Sequence, residues 1–308
     1  MMKGIDDARF VLVMRKTRLQ ELIERFNTWP QAKFYLEHNH VEVDDYLHEH
    51  DLYQRQLVQA ESVLKSLGRF QLLERKLLPS YQFSKQDIVV VIGQDGLVAN
   101  TLKYLQGQPV IAINPDPARW DGKLLPFEIG QLRDVVTQTL KGKMAQKSVT
   151  FAKATTNDGQ SLLAVNDLFI GPKSHTSVRY LLNWQGEQEF QSSSGIIIST
   201  GLGSTGWFQS ILAGAQAITG TKNHPLANGF SWGDNKLQFS VREPFLSKTT
   251  GTKWVFGTIE PNSPLALESL MPDNGVIFSD GIEEDFLQFN AGCIVTVGIA
   301  DIQGQLIA

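Results

Sequence analysis

Along the first third of the chain, short apolar runs alternate with amphipathic stretches. Phe10 to Met14, FVLVM, is too short for a buried helix and suits a strand. A polar turn, Arg15 to Arg18, leads into Leu19, Leu22, Ile23 and Phe26, spaced to line one face of a helix. A second helix is expected from Asp51 as N-cap through Leu57, Val58, Val63, Leu64 and Leu67 to Gly68, a residue suited to ending it. Ile88 to Ile92 and Pro109 to Ile113 are apolar on both faces, as strands inside a parallel sheet are. Thr101 to Leu105 reads as a helix between them, closed by Gly107. Strand alternating with helix predicts an α/β layer domain.

One more amphipathic helix follows Gly130, with Leu132, Val135, Val136 and Leu140 on one face. Beyond it the period changes to that of strands. The stretch VTFAKATTNDGQSLLAV carries a hairpin signal at Asn157-Asp158-Gly159, and YLLNWQGEQEFQ, NKLQFSV, TKWVFGTI, GVIFSDG and CIVTVGIADIQGQLIA keep a short-strand spacing to the end. The second half is therefore expected to be mostly antiparallel β. The division is placed at residues 1–130 for the α/β domain and 131–308 for the β-rich domain, with roughly the last 12 residues packing back on the first.

Composition adds exclusions. At 308 residues the chain exceeds the roughly 100–200 residues of a usual domain, which agrees with two. A formal net charge of -4 provides no basic field, so neither nucleic acid nor an anionic membrane is an expected partner. The single cysteine, Cys293, permits no internal disulfide and no multi-cysteine zinc site. That suits a reducing, cytoplasmic setting. The opening MMKGIDDARF carries no basic flank followed by an apolar core, and no apolar run approaches the ~18 residues of a membrane span.

Three stretches invite chemistry. Gly93-Gln94-Asp95-Gly96 follows the strand Ile88 to Ile92, at the strand end where open α/β sheets place their ligands. Glycines there let the backbone approach a phosphate, and a helix start supplies unpaired N–H groups. A carboxylate repels phosphate but can accept or orient the proton of an attacking hydroxyl. The plain alternative makes Asp95 the N-cap of the next helix. Gly201 to Gly206, GLGSTG, matches G-x-G-x-x-G, yet it sits in the β-rich half without the acid expected some 20 residues on. It is read instead as a glycine-rich loop whose Ser204, Thr205 and Trp207 suit hydrogen bonding and stacking on a purine, or as a tight turn with a core tryptophan. The third stretch, HNHVEVDDYLHEH, crowds His38, His40, His48 and His50 among carboxylates, but reads as a polar connector and not a metal site. No P-loop and no nucleophile elbow occurs.

Taken in order, these pieces resemble the NAD kinase family, and more closely its mitochondrial-type branch. Gly93 to Leu97 is similar to the family's G-G-D-G-T loop, Asn166-Asp167 to its Asn-Glu pair, and Thr200 to Trp207 to its T-x-T-G-S-T-A-Tyr loop. INPDP at Ile113 to Pro117, SVREPF at Ser240 to Phe245, and the FSDG and FNAG stretches also look like that branch. The likeness implies a Rossmann-like α/β domain followed by a β-sandwich-like domain. It also implies transfer of the γ-phosphoryl group of ATP to the 2′-hydroxyl of the adenosine ribose of NAD, with magnesium arriving on the ATP phosphates and a homodimeric assembly.

By position, Asp95 would act as base or hydroxyl-orienting group, and Gly93 and Gly96 would shape the phosphate turn. Asn166 would contact adenine and Asp167 the ribose hydroxyls. Ser204, Thr205, Gly206 and Trp207 would form the adenine pocket, with Thr200 and Gly203 also binding the nucleotide. The sequence departs from the pattern at Gln94, where the family has glycine, and at Leu97, where it has threonine. Two other readings follow from that: a non-catalytic NAD(H)- or NADP-binding sensor on the same fold, and a kinase of another hydroxyl, on a sugar or lipid.

Overall fold

A computed structural model describes residues 8–221 and 224–308, so most of the opening stretch read above lies outside the described residues. The chain divides into two compact units, one running to Gln146 and completed by Gln305–Ala308, the other Lys147–Gly304. The division falls past residue 130 because the helix Leu132–Leu140 (here α5) seats Leu132, Val135 and Val136 in the first unit's core.

The first unit is built on parallel strands in the order β2 (Arg69–Glu74), β1 (Arg9–Met14), β3 (Asp87–Ile92), β4 (Pro109–Ile113). The end of the last strand, β16 (Ile294–Ile307), joins β4 in parallel through Gln305 and Leu306. Phe10, Leu12, Ile88, Val90, Ile92, Ile111 and Ile113 point to one face, against Leu57, Ala60 and Leu64 of α3 (Val43–Leu67) and the apolar side of α5. Val11, Val13, Val89 and Val91, on the opposite face, are equally buried. Burial on both faces is what the unbroken apolar runs predict.

In this unit three of the described helices depart from the sequence reading. α1 (Arg18–Phe26) follows the expected pattern and is closed by a capping box, Thr17 accepting from the Gln20 backbone while Gln20 accepts from Thr17 N–H at 3.0 Å. α2 (Trp29–His38) was not expected, although Thr28 as N-cap and Pro30 in the first turn are ordinary start signals. α3 begins at Val43, not Asp51, because its N-cap Glu42 makes no side-chain cap and leaves no sequence mark. Asp51 is thus a helix-interior residue, and Val58, expected on the buried face, stands 65% exposed. The helix after β3 is α4 (Asp95–Leu102), not Thr101 to Leu105.

Tyr53 of α3 fastens that helix to the strand ends. Its hydroxyl donates to the Ile92 carbonyl at 2.9 Å and accepts from Arg15 N–H at 3.1 Å, and burial pushes its pKa up to about 12. Tyr53→Phe would leave a strand-end carbonyl and an N–H without their partner. The variant should lose about 1–2 kcal/mol in urea unfolding, and an unchanged midpoint would mean water replaces the hydroxyl.

The second unit holds two sheets. The six-stranded one runs β12 (Phe256–Ile259), β11 (Leu237–Val241), β10 (Ile196–Ser199), β7 (Asp167–Pro172), β14 (Gly275–Ser279), β15 (Ile282–Gln288), with antiparallel pairing throughout. The other contains β16, β13 (Leu265–Ser269), β8 (Val178–Trp184) and β9 (Glu187–Ser193), extended by β5 (Gln146–Thr156) and β6 (Ser161–Ala164). Leu168, Ile170, Ile196, Ile198 and Phe239 of the first sheet meet Tyr180, Leu182, Leu267 and Val297 of the second in one core, the packing of a β-sandwich. Helix α6 (Trp207–Thr219) interrupts the strand pattern and buries Phe208 and Leu212. No described helix is long and apolar enough to cross a membrane.

Candidate functional site

In the first unit the candidate residues sit where β3 ends and α4 begins, just beyond the Ile92 carbonyl that Tyr53 holds. Gln94, extended at φ -117° and ψ 165°, is the N-cap and makes no side-chain cap. Asp95 is the first helical residue, so its reading as N-cap is corrected: its half-buried carboxylate accepts from Leu124 N–H at 2.8 Å and tethers the loop after β4. That loop is braced by Asn114, which accepts from Asp116 N–H at 3.0 Å and donates to the Trp120 carbonyl at 2.9 Å.

The two glycines of the turn differ. A Cβ on Gly93 would meet Leu97 Cδ2 at 2.8 Å, so a buried leucine fills the space under the turn. A Cβ on Gly96 would meet nothing within 4 Å, and the exposed backbone is open to a ligand. Leu97 is 3% exposed; the residue at this position packs inward. The turn thus offers a helix start, an open glycine and a tethered carboxylate, a set able to hold an anion beside a hydroxyl.

In the second unit, Asn166 and Asp167 lie at the start of β7 against the loop that leaves β10. Thr200 donates its hydroxyl to the Val165 carbonyl at 2.6 Å and its N–H to the Asn166 carbonyl at 2.9 Å, while Gly203 N–H donates to the Thr200 hydroxyl at 3.2 Å. Gly203 is required by contact: a Cβ there would come within 2.2 Å of the Asn166 carbonyl oxygen. Ser204 is fully buried, its hydroxyl donating to the Gly201 carbonyl at 2.7 Å and accepting from Phe230 N–H at 3.0 Å. Thr200 and Ser204, expected to touch a nucleotide, therefore give their hydroxyls to the loop's own shape. Thr205 and Gly206 are exposed at its rim.

Asp280 organises this turn and was not among the residues singled out. With φ at 56°, its carboxylate accepts from Asn166 N–H at 2.6 Å and from Val165 N–H at 3.1 Å, and its own N–H donates to the Asp167 carbonyl at 2.9 Å. Beside it, Asp167 has one carboxyl oxygen, Oδ1, shut from solvent and without a hydrogen-bond partner. Burial raises the Asp167 pKa to about 7, the Ser199 hydroxyl opposing and the Asp280 charge adding to the rise.

Trp207, at the head of α6, is 37% exposed, which overturns the reading of a core tryptophan. Its ring lies over Phe169 with centroids 5.8 Å apart and planes 17° from parallel, and the Arg242 guanidinium stands 5.6 Å from its centroid. Arg242, in the SVREPF stretch, was missed as an individual residue because β11 brings it to the tryptophan from 35 positions away.

The histidine-rich stretch is absorbed by α2 and α3. Asp45 and Glu49 pair with Arg18, Asp45 with Arg119, Glu49 with Arg15 at 2.9 Å, and the His50 ring nitrogen meets the Thr17 hydroxyl at 2.9 Å. Among the described residues no three His, Cys, Asp or Glu side chains converge as metal ligands.

No family model matches the chain, and no curated protein matches its sequence. Its fold is that of solved NAD kinases. The structure of an NAD kinase from Archaeoglobus fulgidus in complex with ATP aligns with a TM-score of 0.56 over 97% of this chain and 93% of that one, at 13% identity. Yeast NADH kinase complexed with NADH aligns with a TM-score of 0.58 over 98% of this chain and 83% of that one, at 14% identity.

Proposed function

We propose that the chain is an NAD kinase of the mitochondrial-type branch, a phosphotransferase that makes NADP from ATP and NAD. The observation that carries this reading is the Asp95 carboxylate at the head of α4, at the end of a buried parallel strand beside the open backbone of Gly96. The fold it shares with a kinase bound to ATP and another bound to NADH agrees with it.

In this reaction Asp95 takes the proton of the ribose 2′-hydroxyl as that oxygen bonds to the γ-phosphorus. The bond from the γ-phosphorus to the bridging oxygen of the β-phosphate breaks, and NADP and ADP leave. The helix start and Gly96 hold phosphate oxygens through backbone N–H groups. Asp167 accepts from ribose hydroxyls, Asn166 meets the adenine edge, and Trp207 gives the base a flat surface. Magnesium would arrive on the ATP phosphates, as the resemblance implies. It would supply neutralisation of the charge on the transferred group.

A second reading has its own observation. Gln94 puts a side chain at the mouth of the turn and Leu97 turns inward, so neither offers a donor phosphate what glycine and threonine would. A sensor that binds NAD(H) without transfer would tolerate both. Incubating the purified protein with ATP, magnesium and NAD or NADH, and reading NADP(H) with an NADP-specific dehydrogenase, separates the two. Product is expected. NAD binding with no transfer from ATP, other triphosphates or polyphosphate would establish the sensor, and ADP release only with a sugar or lipid hydroxyl would change the acceptor. The homodimer belongs to the same proposal, and light scattering on the eluted protein measures it.

A further inference from the structure

The outward face of the six-stranded sheet carries a pocket larger than a single tryptophan surface. Gly171 and Gly195 leave room for the Phe169 ring: a Cβ on either would stand 2.3 or 2.6 Å from it. Phe169 therefore lies flat on the sheet, Phe278 tilts against it with centroids 4.9 Å apart, and Trp207 stacks above. These rings, with Val276 and Phe286, wall a cavity of about 200 Å³ that also takes in Lys173 and Arg242. That is smaller than a site for a drug-sized ligand and sized for one ring system.

Both cations stand over aromatic rings. Arg242 stands 5.6 Å from the Trp207 centroid and Lys173 Nζ 4.8 Å from that of Phe286. Among the described residues neither is paired with a carboxylate, and the Arg242 guanidinium donates no hydrogen bond. A guanidinium fixed over an indole with its N–H fork unused is an anion contact already oriented. A purely apolar ligand would leave both charges facing an apolar wall, and a free phosphate would leave the wall wet.

We infer that this pocket takes the phosphate-bearing end of an adenine nucleotide, the base against the Trp207 wall and the phosphate on Arg242, with Lys173 supporting. The inference rests on Trp207 as a base platform in the proposed function and adds to it the residues that read the anion. Binding of adenosine 5′-monophosphate, adenosine and ribose 5-phosphate, followed by tryptophan fluorescence and calorimetry, tests it. The wild type should bind the monophosphate at least tenfold more tightly than either of the others. In Arg242→Ala that preference should fall to near onefold, and in Arg242→Lys it should survive in part, with circular dichroism confirming that both fold.

Equal affinity for monophosphate and adenosine in the wild type overturns the inference. So does a preference that persists undiminished in folded Arg242→Ala, because the anion is then read elsewhere. Should Arg242→Ala fail to fold, Arg242→Lys and Arg242→Gln decide by the same ratio. An Arg242-dependent preference in a protein that never makes NADP keeps the inference and removes the kinase. NADP formation with an unchanged Michaelis constant for NAD in Arg242→Ala, and an unchanged preference, does the reverse.

Discussion

Asp95→Asn is expected to lower the rate of NADP formation by about 10²–10⁴-fold, the usual cost of losing a general base, while leaving the melting temperature nearly where it was. The structure gives the carboxylate a second task, and the choice of asparagine keeps it. Asp95 accepts the Leu124 N–H, and an amide oxygen at the same place can do so too. What asparagine gives up in stability is the interaction of a negative charge with the start of α4, about 0.3–1 kcal/mol. Asp95→Ala loses the tether as well, so it should be the less stable of the two at a similar rate. Steady-state kinetics and thermal melts on the pair separate chemistry from anchoring. If the wild type transfers phosphate and Asp95→Asn matches its rate, the residue only tethers the loop, and the base must be sought elsewhere.

The same residue shows how far a sequence carries and where it stops. Its place at the end of a buried strand followed by glycine is local information, as are the apolar runs that became β1, β3 and β4. β2 was not legible: RFQLLE at the sheet's edge buries little beyond Leu73, so it lacks the apolar density of its neighbours. α6 was hidden by its setting, since Phe208, Ile211 and Leu212 keep helical spacing but follow a glycine-rich loop in a strand-rich half. The partners of the second unit's site are set by register. Ser279 pairs with Leu168 across β14 and β7, which brings Asp280 beside Asp167 from 113 positions away. A backbone acceptor of this kind has no signature in the chain until the sheet is formed.

The hydroxyls of Thr200 and Ser204 teach the complementary point. Both were expected at a nucleotide, and each donates its hydroxyl to a backbone carbonyl, Thr200 to Val165 and Ser204 to Gly201. The bonds of Thr200 and Ser204 also hold the close backbone approach at Gly203, where a Cβ would come within 2.2 Å of the Asn166 carbonyl oxygen.

Asp167→Asn should make the empty protein more stable at about pH 8 and change it little at about pH 4. The folded carboxyl has its pKa raised from 3.8 to about 7, chiefly by burial. Between these values the unfolded chain is ionised and the folded one keeps its proton, so the contribution of Asp167 to stability is fully present below about pH 4. It is lost as the pH rises through about 7, where the folded group must ionise with Oδ1 unpaired and Asp280 beside it. An amide carries no such charge. Its gain over the wild type above pH 7 is on the order of 2–4 kcal/mol, read as a rightward shift of the urea midpoint that fades on acidification. NAD affinity should move the other way, since asparagine removes the charged acceptor for ribose hydroxyls. Stability gained with binding lost is the mark of a carboxylate kept in an unfavourable place for its ligand. A variant equally stable at both pH values would show that Asp167 is comfortable where it lies, and unchanged NAD affinity would take it out of the ribose contact.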